Sequence, residues 1–116
     1  MPADLDTKHG GRRLSLGPLC QIPVGEGRGF EAGNERIAVF RPRCGGVYAT
    51  QAHCPHRGGP LADGLLGGTT LVCPLHAWRF DLASGEVLTG GGRITTYRVV
   101  LTADGDMVID LGIGSP

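Results

Sequence analysis

At 116 residues, with 41% apolar residues and 21 glycines, the chain has the length of one domain with a modest core and the composition of a turn-rich β protein. Eleven basic residues balance eleven acidic ones, so no global charge excess points to nucleic acid or an anionic membrane surface. No run of about 18 apolar residues occurs, so no membrane-spanning helix is expected.

Residues 1–13 are polar and without periodicity, and read as a flexible N-terminal tail. Arg12-Arg13 followed by LSLGPLCQIPVG has the outline of a twin-arginine export signal. Gly17, Pro18 and Pro23 break that apolar stretch and no clean cleavage site follows, so a cytoplasmic location is expected. RLSLGPLCQIP alternates loosely and reads as a first strand; GEGRGFEAG reads as a turn region. ERIAVFRPR is a clear strand, with Ile37 and Val39 on one face and Ala38 and Phe40 on the other. Cys44-Gly45-Gly46 turns it into a second strand, VYATQA.

Two loop-like stretches follow, joined by LADGLLGGTTLV, in which Thr69 to Val72 reads as a strand. AWRFDL is another strand, turned by Ala83-Ser84-Gly85 into EVLTG. RITTYRVVL and MVIDL, joined by Ala103-Asp104-Gly105-Asp106, complete the series. No segment carries a helix of ten or more residues, so the expected fold is all-β and antiparallel. Residues 112–116 read as a C-terminal tail.

The two loop-like stretches hold the chemistry. Cys54-Pro55-His56 and Cys73-Pro74-Leu75-His76 lie sixteen residues apart, each mixing one thiol with one imidazole. Two thiolates and two imidazoles are the ligand set of a [2Fe–2S] cluster in which histidines replace two cysteines on one iron. Cys54, His56, Cys73 and His76 are therefore the candidate ligands, one cluster per chain. Pro55 and Pro74 stiffen the loops, and Gly58, Gly59, Gly64, Gly67 and Gly68 permit close backbone approach. A structural zinc site also uses two Cys and two His, but usually as a Cys pair followed by a His pair on a helix. Here the two residue types alternate and no helical periodicity surrounds either His, which favours iron and sulfide.

HCPHRGGPLADG and CPLHAWRFDLASGEVL resemble the two cluster loops and following hairpin of soluble Rieske [2Fe–2S] ferredoxins. The resemblance extends, more weakly, to RIAVFR and GVYAT, and so over about residues 14–111. It implies a β-sandwich base from residues 14–52 and 85–111, with a cluster-binding subdomain, about residues 53–84, inserted in it. High-potential members carry a disulfide between the loops; the matching positions here are Gly59 and Leu75. They also carry Ser and Tyr hydroxyls after the second loop, where this chain reads Ala77-Trp78-Arg79-Phe80. Fewer hydrogen bonds to sulfur place the expected potential at the low end of the Rieske range, near about −150 mV.

Three functions compete. One is an electron carrier between an NAD(P)H-dependent flavoprotein reductase and a terminal oxygenase. The second is the small subunit of an NAD(P)H-dependent nitrite reductase, a family to which the chain is also similar in length and fold. The third, a complete oxygenase, needs a mononuclear iron held by two His and a carboxylate. The chain has four His, two of them committed to the loops, so the third is set aside and the carrier is preferred. No turnover by the chain alone and no catalytic residue are expected.

Among secondary candidates, Cys20 reads as a small core hydrophobe and Cys44 as an exposed turn residue, with a disulfide between them left open. His53 and His9 read as uninvolved in ligation; Trp78 as packing the inserted subdomain onto the base. Arg57 reads equally as a partner-docking cation or as the salt-bridge partner of Asp63 or Glu86. GEGRGF and GGGR resemble phosphate loops but open no helix, so nucleotide binding is not expected.

Overall fold

The computed structural model describes residues 13–33, 35–54, 60–73, 78–89 and 92–111. Among the described residues nine strands run in chain order: β1 Arg13–Pro18, β2 Glu26–Ala32, β3 Glu35–Arg41, β4 Tyr48–Gln51, β5 Leu65–Gly67, β6 Thr70–Val72, β7 Arg79–Asp81, β8 Thr96–Leu101 and β9 Asp106–Asp110. The described helices are two 3₁₀ turns, Leu19–Gln21 and Leu61–Asp63. Six strands form one antiparallel sheet in the order β1-β9-β8-β4-β3-β2, and β5-β6-β7 form a second. The all-β expectation holds. No described helix is long and apolar enough to cross a membrane.

β3 explains how the two sheets share one molecule. Its alternation buries both faces, because it has a core on each side. Ile37 and Val39 join Ile22, Ala49, Met107 and Ile109 in one cluster. Ala38 and Phe40 face the other way, into a cluster with Leu61, Leu71, Phe80, Leu82, Cys54 and Cys73. The second core thus ties the large sheet to the three-stranded one. Trp78 is partly buried against it, as its packing role requires. The three-stranded sheet has a matching inward row, in which Leu66 pairs with Leu71, Leu71 with Phe80, and Phe80 with Val87.

Four local expectations are corrected. Residues 26–32, read as a turn, are β2, paired with β3 from Glu26↔Arg41 to Ala32↔Glu35. Gly27 in it serves close approach rather than turning: a Cβ there would lie 2.5 Å from Phe40 Cδ1 and 3.2 Å from the Ala62 carbonyl oxygen. Cys20 is exposed, not buried, because the 3₁₀ turn Leu19–Gln21 breaks the strand alternation and delivers Ile22 to the core instead. EVLTG contributes isolated bridges at Glu86 and Val87 rather than a strand. Arg13, placed in the tail, is the first residue of β1.

Candidate metal centre

The two sequence-predicted cysteines enter the same core from two separate loops. Cys54 and Cys73 are each 2% exposed and belong to the cluster that joins the sheets. None of the four cysteines forms a disulfide, and Cys44 is exposed as expected. His56 and His76, with Pro55, Arg57, Gly58, Gly59, Pro74, Leu75 and Ala77, lie outside the described residues. His9 does too, whereas His53 is described and exposed.

Each loop is closed in the same way: a hydrogen-bonded pinch at its neck, with a large buried side chain soon after its exit. At the first, His53 bridges Pro60 and the Leu61 N–H donates to the Ala52 carbonyl (2.9 Å). Leu61, fully buried, then opens the 3₁₀ turn. At the second, Val72 pairs with Arg79 and the Cys73 N–H donates to the Trp78 carbonyl (2.7 Å). Phe80, also fully buried, follows. A pinch of this kind brings the two ends of the intervening stretch together and fixes them to the core.

The connection between the loops is set by a close contact. A Cβ on Gly64 would run into the Val72 carbonyl oxygen, and would lie 2.8 Å from Leu71 Cδ1 and 3.2 Å from the Leu61 carbonyl oxygen. Gly64 therefore lets the exit of the first loop press on the strand that feeds Cys73. Beyond the second loop, the Arg79 N–H donates to Thr89 Oγ1 (2.8 Å) and the Leu88 N–H to the Arg79 carbonyl (2.8 Å), backing β7 with residues 86–89. Asp81 fixes that hairpin by accepting from Ser84 Oγ (2.9 Å), Thr69 Oγ1 (3.2 Å) and the Ala83 N–H (3.4 Å). The Ser84 hydroxyl is the main reason its carboxyl sits below the usual range; partial burial opposes the shift, and Ala83 and Thr69 reinforce it.

Sequence reading missed the supports Gly27 and Thr89, and named Gly64 only among the glycines that permit close approach. No spacing rule identifies them, since each acts on a neighbour brought close only by folding.

Among the described residues no three ligating side chains gather. The donors that are described suit a thiophilic metal group. Two thiols, soft ligands, stand buried at the starts of two pinched loops and neither is spent in a disulfide. No buried side-chain nitrogen or oxygen among the described residues lacks a hydrogen-bond partner, so nothing hard competes with sulfur there.

Comparison with known proteins bears on the same segment. Residues 13–97 match the model of the Rieske [2Fe-2S] domain. The chain belongs to the Rieske [2Fe-2S] domain family. It is 37% identical over 70 residues to the ferredoxin component of naphthalene 1,2-dioxygenase/salicylate 5-hydroxylase systems of a Ralstonia species, a match covering 60% of this chain and 66% of that protein. It is 33% identical over 92 residues to the ferredoxin component of the naphthalene 1,2-dioxygenase system of Pseudomonas aeruginosa, covering 78% and 88%. Among solved structures, a Sphingomonas yanoikuyae B1 ferredoxin superimposes with a TM-score of 0.75 at 30% identity, covering 85% of this chain and 98% of that one. An NADH-dependent nitrite reductase small subunit from Mycobacterium tuberculosis superimposes with a TM-score of 0.80 at 20% identity, covering 86% and 95%, a likeness of fold alone. A Rieske domain implies a [2Fe–2S] cluster.

Proposed function

We propose that this chain is an electron-transfer protein, carrying single electrons from an NAD(P)H-dependent flavoprotein reductase to a terminal oxygenase. The observation that carries the reading is the match to a ferredoxin component over 88% of that protein's length, with two buried cysteines at the necks of two loops. In this reading Cys54, His56, Cys73 and His76 hold one [2Fe–2S] group per chain. When bound, that group supplies reversible one-electron chemistry at a potential above that of all-cysteine sites.

The chain's own residues supply the rest. Cys54 and Cys73 offer thiolates shielded from water by Leu61, Leu71 and Phe80. The pinches at Ala52–Leu61 and Cys73–Trp78 hold the two loop ends, and with them the Cys54 and Cys73 thiols. Residues 53–84 act as the cluster-binding subdomain and the remaining sheet as its rigid base, in a cytoplasmic protein. Nothing in this scheme asks the chain to bind or transform a substrate.

The test is reduction in trans. Iron- and sulfide-reconstituted protein, mixed with a flavoprotein ferredoxin reductase and NADH under argon, should lose visible absorbance as it takes one electron. Failure to be reduced there, with stable co-purification of a sirohaem flavoprotein, would replace the carrier by the nitrite reductase subunit.

A further inference from the structure

Gln51 ends β4 one residue beyond its last ladder pair with β8, Thr50↔Thr96. The next step of the ladder is made half by backbone and half by side chain. The Gln51 N–H donates to the Thr95 carbonyl (2.9 Å), while the Thr95 N–H donates to the side-chain Oε1 of Gln51 (2.8 Å) instead of to its carbonyl. The Gln51 carbonyl accepts from Thr50 Oγ1 (2.7 Å). The chain thereby leaves its ladder with β8 at Gln51, where it still pairs with Ile37 of β3, without leaving the Thr95 N–H unsatisfied. The other end of the same carboxamide reaches forward: Nε2 donates to the His53 carbonyl (2.8 Å).

The His53 carbonyl and the Cys54 N–H belong to one planar trans peptide unit. Holding the oxygen at Gln51 restrains rotation of that plane, aims the Cys54 N–H away from Gln51, and so orients the N–Cα bond from which Cys54 projects. We infer that Gln51 is a positioning residue for Cys54, its carboxamide clamping the entry of the first loop to the start of β8. The inference rests on the reading of Cys54 as a ligand of a [2Fe–2S] group.

Three substitutions separate the two halves of the clamp. Gln51→Glu keeps the acceptor for the Thr95 N–H and loses the donor to the His53 carbonyl. Gln51→Lys keeps a donor and loses the acceptor. Gln51→Met, similar in length and uncharged, loses both. The full chain is reconstituted with iron and sulfide, and release of iron to a chelator is followed under argon. The thermal midpoint of each variant is measured without metal.

Positioning through His53 requires that Glu and Met variants lose the group about three- to tenfold faster than wild type, with Lys within about twofold. The metal-free midpoints should sort differently, with Lys below Glu, since Lys breaks the Thr95 link that Glu retains. Cluster lifetimes that simply follow the metal-free midpoints, or a Glu variant holding its group as long as wild type, would overturn the inference and leave Gln51 a strand-pairing residue. Wild-type protein that takes up no [2Fe–2S] group would instead bring down the ligand reading, and the inference with it.

Discussion

Gly64→Ala tests the packing on which the loop arrangement depends. The backbone itself permits alanine, since the residue has φ −74 and ψ 172. On that ground alone the substitution would stabilise by about 0.4–1 kcal/mol through the unfolded chain. The folded state opposes it. The new methyl would meet the Val72 and Leu61 carbonyl oxygens and Leu71 Cδ1 at 2.8 Å, and two of the three obstacles are backbone. Overpacking of this kind costs about 1–3 kcal/mol, and the backbone obstacles argue for the upper part of that range. The net expectation is a loss of about 1–2 kcal/mol, or roughly 5–10 °C in thermal midpoint for a domain of this size.

Gly67, three residues on in β5, is the matched control. A Cβ there meets nothing within 4 Å. Gly67→Ala should therefore gain about 0.5–1 kcal/mol, strand glycine being costly relative to alanine. Both variants are compared by thermal and urea denaturation without metal, and by the yield of reconstituted protein. A Gly64→Ala midpoint equal to or above wild type would refute the close approach of the first loop's exit to β6.

Phe80→Ala, which empties a fully buried site beside both cysteines, should cost about 3–5 kcal/mol in urea unfolding. Asp81 gives a pH dependence. Its folded pKa lies below the ordinary carboxylate value of 3.8, so its contribution to stability is present above that value and is lost as pH falls through the depressed one. Asp81→Asn should therefore flatten the acid limb of the stability profile measured below about pH 4, and an unchanged limb would exclude the Ser84 and Thr69 contacts as its cause. Native protein without metal should show two thiols reacting rapidly with a disulfide reagent, the exposed Cys20 and Cys44, and two reacting slowly, the buried Cys54 and Cys73. Cys54→Ser or Cys73→Ser should abolish reconstituted visible absorbance, with a coloured, stable variant counting against that residue as a ligand.

What was legible in the sequence follows from how local its cause is. β3 was readable because alternation between two cores leaves an apolar run bounded by charges, Glu35-Arg36 before it and Arg41 after. The candidate ligand cysteines were readable because metal chemistry restricts residue type and spacing, whatever the fold around them. β2 was missed because an edge strand with one exposed face tolerates glycine and charge, and its Gly27 answers to Phe40, thirteen residues away in sequence and adjacent only in the sheet. Cys20 was misplaced because a single 3₁₀ turn rotates the face that alternation assigns. The role of Gln51 depends on Thr95, forty-four residues on, and no pattern within β4 announces it.

In the proposed function two cysteines and two histidines of this chain hold one [2Fe–2S] group for electron transfer. Protein-film voltammetry of the iron- and sulfide-reconstituted chain tests it most directly. One reversible one-electron wave at about −150 mV, at the low end of the Rieske range, is expected. A wave near about −400 mV would mean that all four ligands are thiolates and that the histidines are not among them. No wave at all, with zinc bound in place of iron and sulfide, would contradict electron transfer altogether.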